Sequence, residues 1–224
     1  MDTSTSGGDS STRAESSTPL GRLSGYVNHD NVLVRFVASW LVFTTLFVAA
    51  WYVGYYLLPE GILRGAAGVG ARTPFLGDVR TEFLSILGFN LLFTLILVGA
   101  NTFRSVETPL GHLVLLVTFV QGGLVWGSNS LVIQAGRLEP SLAVALGRSG
   151  LYELTAFVAI AVATRGVMLW HQKSGPRWRE EFERVRAVRD WHVSPGEAVV
   201  LLAGLALLAG ANYVEAVRVA AVGG

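Results

Sequence analysis

Five separated apolar segments constrain this chain more than any other feature of its sequence. They cover residues 33–58, 83–100, 112–133, 150–170 and 197–220. Each segment, as a helix, is long enough to cross a hydrocarbon core of about 30 Å. Because the bilayer core holds no water to satisfy backbone polar groups, each segment must be helical there. The sequence therefore predicts an all-α, polytopic membrane bundle with about five transmembrane helices.

The composition agrees with a single transmembrane domain over residues 31–224. Hydrophobic residues make up 51% of the 224 residues and charged residues only 15%, whereas soluble chains carry about 25% charged residues. The formal net charge is +1, without the basic face that nucleic-acid binding needs. There is no cysteine, which excludes disulfides and thiolate metal sites within the chain. The predicted partner is the lipid bilayer, not nucleic acid.

The distribution of charge predicts a topology. Residues 1–30 are rich in Ser, Thr, Gly and Asp, so they bury too little apolar area to offset ordering entropy and are predicted to be a disordered polar tail. Basic residues of short loops stay on the cytoplasmic side. Alternate connections carry ten basic residues on one side and six on the other. The chain is therefore predicted to cross the cell membrane several times, with a cytoplasmic N-terminus and an outside C-terminus.

The connection between the fourth and fifth segments has its own pattern. Within residues 176–192, apolar side chains recur at helical spacing among charged residues: Trp178, Phe182, Val185, Val188 and Trp191. Such a pattern is typical of an interfacial amphipathic helix. The helix either lies flat on the cytoplasmic membrane surface or offers a docking surface to a cytoplasmic partner.

Small residues mark predicted sites of helix packing. Gly123 and Gly127 have the four-residue spacing that lets helix backbones approach closely. Gly122 precedes this pair, and Gly150 opens the fourth segment. All four glycines are interpreted as packing positions.

Polar residues within the segments are the candidate functional residues, because polar groups are costly in a bilayer. The predicted orientation puts most of them in the outer half of the membrane. The candidate cluster comprises Asn90, Gln121, Asn129, Glu153, Asn212 and Glu215. These residues either hydrogen-bond between helices or line an outer cavity for a cation, a proton or a lipid headgroup. Two close carboxylates would share a proton, since like charges disfavour joint ionisation.

Catalysis is not predicted. The chain has no H-E-x-x-H, G-x-S-x-G or phosphate-loop pattern. Ser149 lies near Glu153, but no histidine or lysine accompanies them at that predicted face to activate a nucleophile. We expect no enzyme, no metal and no cofactor.

The chain resembles the stage II sporulation protein M family of five-helix membrane proteins in the order of its motifs. The resemblance rests on residues 88–90 (GFN), 122–127 (GGLVWG), 149–154 (SGLYEL) and 211–216 (ANYVEA). The chain departs from the family where Phe89, Gly122 and Ser149 stand in place of Asn, Asn and His. The resemblance implies a non-enzymatic membrane component that acts with partner proteins in envelope or membrane remodelling.

Two functions follow from these patterns. The first is a membrane scaffold or assembly subunit that engages other membrane or cytoplasmic proteins, or further copies of itself as a homo-oligomer. The second is a small transporter or permease subunit that uses an outer polar cavity with Glu153 and Glu215. A transporter requires that removing either charge abolishes a flux, whereas a scaffold requires that assembly weakens instead.

Overall fold

A computed structural model describes residues 18–65, 76–105, 108–130, 136–172 and 182–223. Of the described residues, 72% are helical. Its helices are α1 (Pro19–Val27), α2 (Val32–Tyr56), α3 (Val79–Asn101), α4 (Leu110–Gly127), α5 (Leu142–Leu146), α6 (Ser149–Ala163) and α7 (Pro195–Gly223). Two 3₁₀ turns follow α6 and precede α7, at Arg165–Val167 and Val188–Asp190.

Four of the described helices, α2, α3, α4 and α7, are long and apolar enough to span a membrane. The prediction of a helical membrane protein is confirmed at this level. Helix α6 has 15 residues, or about 22 Å at 1.5 Å per residue, which is less than the bilayer core. A fifth crossing at α6 stays a prediction.

Helix α6 lies at the centre of the bundle. It packs mainly along α7 and also contacts α2, α3 and α4. Every residue from Ala156 to Ala163 is buried. The predicted fourth span over residues 150–170 is wrong beyond Ala163, where the chain continues into the 3₁₀ turn and then a strand. Apolar residues in a sequence do not distinguish burial against protein from burial against lipid, which explains the error.

A small four-stranded sheet closes the end of the bundle where α3 ends and α7 begins. Its strands are β1 (Phe103–Ser105), β2 (Thr108–Pro109), β3 (Trp170–Gln172) and β4 (Glu183–Arg184), in the order β2-β1-β3-β4. Strands β1 and β3 are parallel, and the other two pairs are antiparallel. The sheet was not predicted, because its strands of two or three residues leave no periodic pattern.

The predicted amphipathic helix over residues 176–192 is wrong for residues 182–192. Strand β4 occupies part of this segment because Arg184 pairs with Trp170 of β3. The Phe182 ring packs edge-on against Phe103 at 5.5 Å between centroids. These tertiary contacts favour a strand here, despite the helical periodicity of the sequence. Residues 176–181 lie outside the described residues.

Helix termini are fixed by polar caps. The Asn31 side chain accepts hydrogen bonds from the amides of Leu33 and Val34 at the start of α2. Asp78 accepts from the amide and hydroxyl of Thr81 at the start of α3, and these hydrogen bonds hold the pKa of Asp78 below its ordinary value. Such caps satisfy backbone amides that have no partner in the first turn.

Two predicted boundaries also change. The disordered tail predicted for residues 1–30 is wrong over Pro19–Val27, which form α1, while residues 1–17 lie outside the described residues. Thr18 caps this helix and Pro19 occupies its first position, where a proline costs nothing. The third span, predicted to residue 133, ends as a helix at Gly127 because Asn129 adopts the left-handed region with φ of 50°.

Candidate functional site

A group of polar residues joins α6 to α7 inside the bundle. The Ser149 hydroxyl, at the start of α6, donates a short hydrogen bond to Glu215 Oε2 on α7. Glu153 follows Ser149 by four residues, so it lies on the same face of α6. Glu215 therefore lies beside the face of α6 that carries Glu153. Two carboxylates and one hydroxyl therefore meet at this helix pair.

A second polar contact joins α7 to α3. Asn90 Nδ2 donates to Asn212 Oδ1 at 2.8 Å. Asn212 is fully buried, and its own Nδ2 has no hydrogen-bond partner among the described residues. Asn212 and Glu215 are three residues apart and so share a face of α7. We call the set Asn90, Ser149, Glu153, Asn212 and Glu215 the carboxylate cluster.

The other two predicted members lie elsewhere. Asn129 follows the end of α4, where its Nδ2 donates to Glu60 Oε1 at 2.7 Å. Gln121 is exposed on α4. The structure therefore brings together four of the six predicted residues and adds Ser149 to them.

The chemistry open to the carboxylate cluster is limited by its residue types. Carboxylates and a hydroxyl can hold a proton or a cation, and the amides can lock helices together. The described ranges contain no group of three or more His, Asp or Glu side chains placed to bind a metal ion. The Ser149 hydroxyl donates to a carboxylate rather than to an imidazole.

The predicted packing glycines differ in what an added Cβ atom would contact. Gly123 and Gly127 face the backbone of α2, where a Cβ atom at either would overlap the carbonyl oxygen of Phe47 or Trp51. Gly54 of α2 completes this close approach from the other side. At Gly150, a Cβ would come within 2.8 Å of the Trp126 ring. Gly122 faces only the Phe47 ring, at an ordinary contact distance of 3.5 Å.

A buried ion pair at the opposite end of α6 escaped the sequence analysis. Arg35 of α2 is 2% exposed, and its Nη2 lies 2.7 Å from Glu197 Oε1 of α7. The same guanidinium donates to the Val162 carbonyl from Nε and Nη2, at 3.2 and 2.9 Å. Arg35 thus satisfies a carbonyl left free at the end of α6. In the sequence, Arg35 is indistinguishable from a loop charge because it is only the fourth residue of α2.

Two further side chains complete this buried end. Asn101 Nδ2 donates to the Ala161 carbonyl and to the Thr164 hydroxyl, both at 2.8 Å. Glu197 Oε2 accepts from the amide and hydroxyl of Ser194, while Ser194 Oγ accepts from the Glu197 amide. This reciprocal pair is a capping box, and Ser194-x-x-Glu197 before an apolar run is a signal readable from sequence.

Comparison with protein-family models, with curated proteins and with solved structures finds no match to this chain. The resemblance to the stage II sporulation protein M family stays a prediction drawn from the motifs.

Proposed function

We propose that the protein is a non-enzymatic membrane scaffold or assembly subunit of the kind that the stage II sporulation protein M resemblance implies. In this proposal it acts in envelope or membrane remodelling by associating with other helices within the bilayer. The cell membrane, the cytoplasmic N-terminus and the outside C-terminus belong to the same proposal. They are supported by the unequal distribution of basic residues.

The exposed amide of Gln121 is the observation that carries this proposal. Leu113 and Val117 are 54% and 56% exposed on α4, and Gln121 continues their stripe at the same four-residue spacing. It is the twelfth residue of an 18-residue helix that is apolar enough to span a membrane. Within the described part of the chain, no hydrogen bond is formed by the Gln121 side chain.

A lone amide facing lipid is unfavourable, because hydrocarbon offers it no hydrogen bond. A second transmembrane helix placed against the stripe would supply one. Interhelical hydrogen bonds in membranes contribute about 0.6 to 2 kcal/mol each. We infer that the occupant is a second copy of the chain, since a glutamine amide both donates and accepts and so is complementary to itself in a two-fold dimer.

The filled core also supports a scaffold rather than a conduit. Fully buried apolar side chains from α3, α4, α6 and α7 meet at the middle of the bundle. They are Leu97, Leu115, Phe119, Val158, Ile160, Val162 and Leu208. These residues pack in one cluster, and the carboxylate cluster is held by bonds between helices. Polar residues of this kind stabilise helix contacts.

Co-purification of two differently tagged copies from native membranes tests the proposal. We expect Gln121→Leu to lower co-recovery by about fivefold, which corresponds to about 1 kcal/mol. Thr45→Val is the matched control, because Thr45 is also exposed but its hydroxyl already donates to the Leu41 carbonyl. Absent co-recovery of the wild type, or equal recovery with Gln121→Leu, would contradict the proposal.

A small transporter is the second candidate, and the meeting of Glu153 with Glu215 favours it. A half-buried carboxylate pair can take up and release one proton or cation. If this is the function, Glu153→Gln or Glu215→Gln abolishes a flux in reconstituted vesicles, whereas the exposed Glu139→Gln leaves it unchanged. If the scaffold proposal is correct, neither cluster variant changes the ion permeability of the vesicles.

A further inference from the structure

A groove lies between the start of α6 and the second half of α7. Its volume is about 520 Å³, within the roughly 300–1,000 Å³ of small-molecule sites. Two arginines, Arg148 and Arg218, are part of its lining. The apolar lining comes from α7 and from the last residue of α5: Leu146, Ala206, Leu207, Gly210, Ala211 and Val214. We call this groove the α6–α7 groove.

Small residues of α7 leave the floor of the groove open. Gly210 is exposed, and a Cβ atom added there would have no neighbour within 4 Å. At Gly204, by contrast, an added Cβ would lie 3.0 Å from the Ala159 side chain of α6. Helix α7 therefore packs tightly against α6 at Gly204 and stands away from it at Gly210. The Tyr152 ring forms a wall beside this space, where its hydroxyl donates to the Leu146 carbonyl at 3.0 Å.

The groove extends along about half of α7. It reaches from Arg218, near the end of the helix, back to Ala206. At 1.5 Å per residue this stretch is about 18 Å long, a little more than half of a hydrocarbon core of about 30 Å. Because α7 is long and apolar enough to span a membrane, the groove has about the depth of one lipid leaflet.

The two arginines meet at the end of the groove where α7 ends. Arg218 Nη2 donates to the Gly147 carbonyl at 2.8 Å, which holds its guanidinium at the junction of α5 and α6. Arg148, the next residue, is half-buried, and its side chain caps no helix. The groove is therefore cationic at the helix end and apolar toward the middle of the membrane.

The charge of these arginines is not balanced within the described structure. The ion pairs among the described residues are Arg35–Glu197 and Arg189–Asp190, and neither involves an arginine of the groove. Glu215, the nearest carboxylate along α7, accepts from the Ser149 hydroxyl and does not line the groove.

The undescribed stretches that connect segments at this end do not supply a carboxylate either. Residues 66–75, 131–135 and 224 contain no Asp or Glu. The other undescribed stretches, residues 1–17, 106–107 and 173–181, lead into α1 or belong to connections of the sheet, at the opposite end of the bundle. The field of the two guanidinium groups therefore favours an anion.

We propose that the α6–α7 groove binds an anionic phospholipid, with the phosphate at Arg148 and Arg218 and one acyl chain along α7. Guanidinium groups present paired donors that match phosphate oxygens, and basic pockets between transmembrane helices bind lipid headgroups. The apolar floor beyond the arginines fits an acyl chain, which a soluble phosphate compound lacks. The groove is formed by α6 and α7, so it is separate from the α4 stripe of the proposed dimer.

Native mass spectrometry of the full chain measures the lipid retained after extraction from vesicles of equal phosphatidylglycerol and phosphatidylcholine. Arg148→Gln and Arg218→Gln each remove one charge, and Arg189→Gln, 88% exposed outside the groove, is their control. Gly210→Leu fills the floor from a position where an added Cβ meets open space. Gly88→Leu is its matched control, because Gly88 is also exposed on a membrane-spanning helix with no neighbour to an added Cβ.

We expect each arginine variant to lower phosphatidylglycerol retention by about tenfold, the effect of losing one charge-assisted contact. Gly210→Leu should lower it at least as much while the unfolding midpoint in lipid-free detergent stays at the wild-type value, and both controls should retain wild-type amounts. The proposal is overturned if the wild type retains no lipid or retains both lipids equally. It is also overturned if Gly210→Leu behaves like Gly88→Leu, or if both groove arginine variants behave like Arg189→Gln.

Discussion

At the scale of single residues, the buried side chain of Arg35 is the most consequential in the described structure. Its guanidinium contacts Glu197 of α7, the Val162 carbonyl of α6 and the His29 carbonyl before α2. A helix that ends inside a bundle leaves carbonyls that water cannot reach. Arg35 donates to one of these carbonyls, and Glu197 balances the charge of its guanidinium. The short central helix therefore depends on Arg35.

Replacing Arg35 should therefore be costly. We expect Arg35→Met to lower the free energy of unfolding by about 3 kcal/mol, because it leaves a buried carbonyl without a donor and Glu197 without its cation. Glu197→Gln should cost less, since an amide oxygen can still accept from Arg35. Equilibrium unfolding in mixed micelles measures both. The control Arg189→Gln changes a surface pair; a loss for Arg35→Met no larger than that of the control would refute the assigned role.

The Asn90–Asn212 contact permits a second test at this scale. A double-mutant cycle with Asn90→Leu and Asn212→Leu should give a coupling energy of about 1 kcal/mol, as for other hydrogen bonds between transmembrane helices. Asn90→Leu combined with Thr45→Val on α2 is the control cycle and should be additive, since distant sites rarely couple. Equal coupling in both cycles would show that the amide contact contributes nothing specific.

At the scale of helices, the seam between α2 and α4 depends on the absence of side chains. Gly123 and Gly127 allow α4 to approach the α2 backbone, and Gly54 does the same from α2. Gly122 stands beside this seam, where a methyl group would meet only an aromatic ring at ordinary distance. The sequence spacing predicted close packing here. It could not show that Gly123 and Gly127 lie in the seam while Gly122 lies beside it.

These neighbouring glycines should respond differently to alanine. Gly123→Ala and Gly127→Ala should each lower the free energy of unfolding by about 1–3 kcal/mol, because the added methyl group forces the two backbones apart. Gly122→Ala should be neutral or stabilising by up to about 1 kcal/mol, since glycine is unfavourable within a helix. Thermal unfolding of the three variants compares them directly. An equal loss for all three would mean that helix propensity, not close approach, governs this seam.

At the scale of the whole molecule, the sequence predicted the class of fold and part of the candidate site. Apolar runs located the long helices, and the predicted topology put Glu153 and Glu215 near one end. Features set by contacts between distant segments were missed. They include the sheet, which forms only when β1 meets β3, and the early end of α6, which depends on donors from Arg35 and Asn101.

Gln121 is a residue that the sequence identified but whose surroundings it could not give. The sequence identified it as a polar residue within a span and grouped it with the cluster, but helix rotation cannot be read from an almost uniformly apolar segment. The structure places it on the exposed stripe of α4. That position changes its interpretation from a lining residue of a cavity to a contact for another helix.

Photo-crosslinking in native membranes tests the central proposal most directly. A photoreactive amino acid is introduced at Val117, one helical turn from Gln121, and at Leu95 on α3 as a control with 68% exposure. The scaffold proposal predicts a discrete protein adduct from position 117, with twice the mass of the chain, whose yield falls when Gln121→Leu is added. The absence of a protein adduct at position 117, or an equal adduct from position 95, would contradict it.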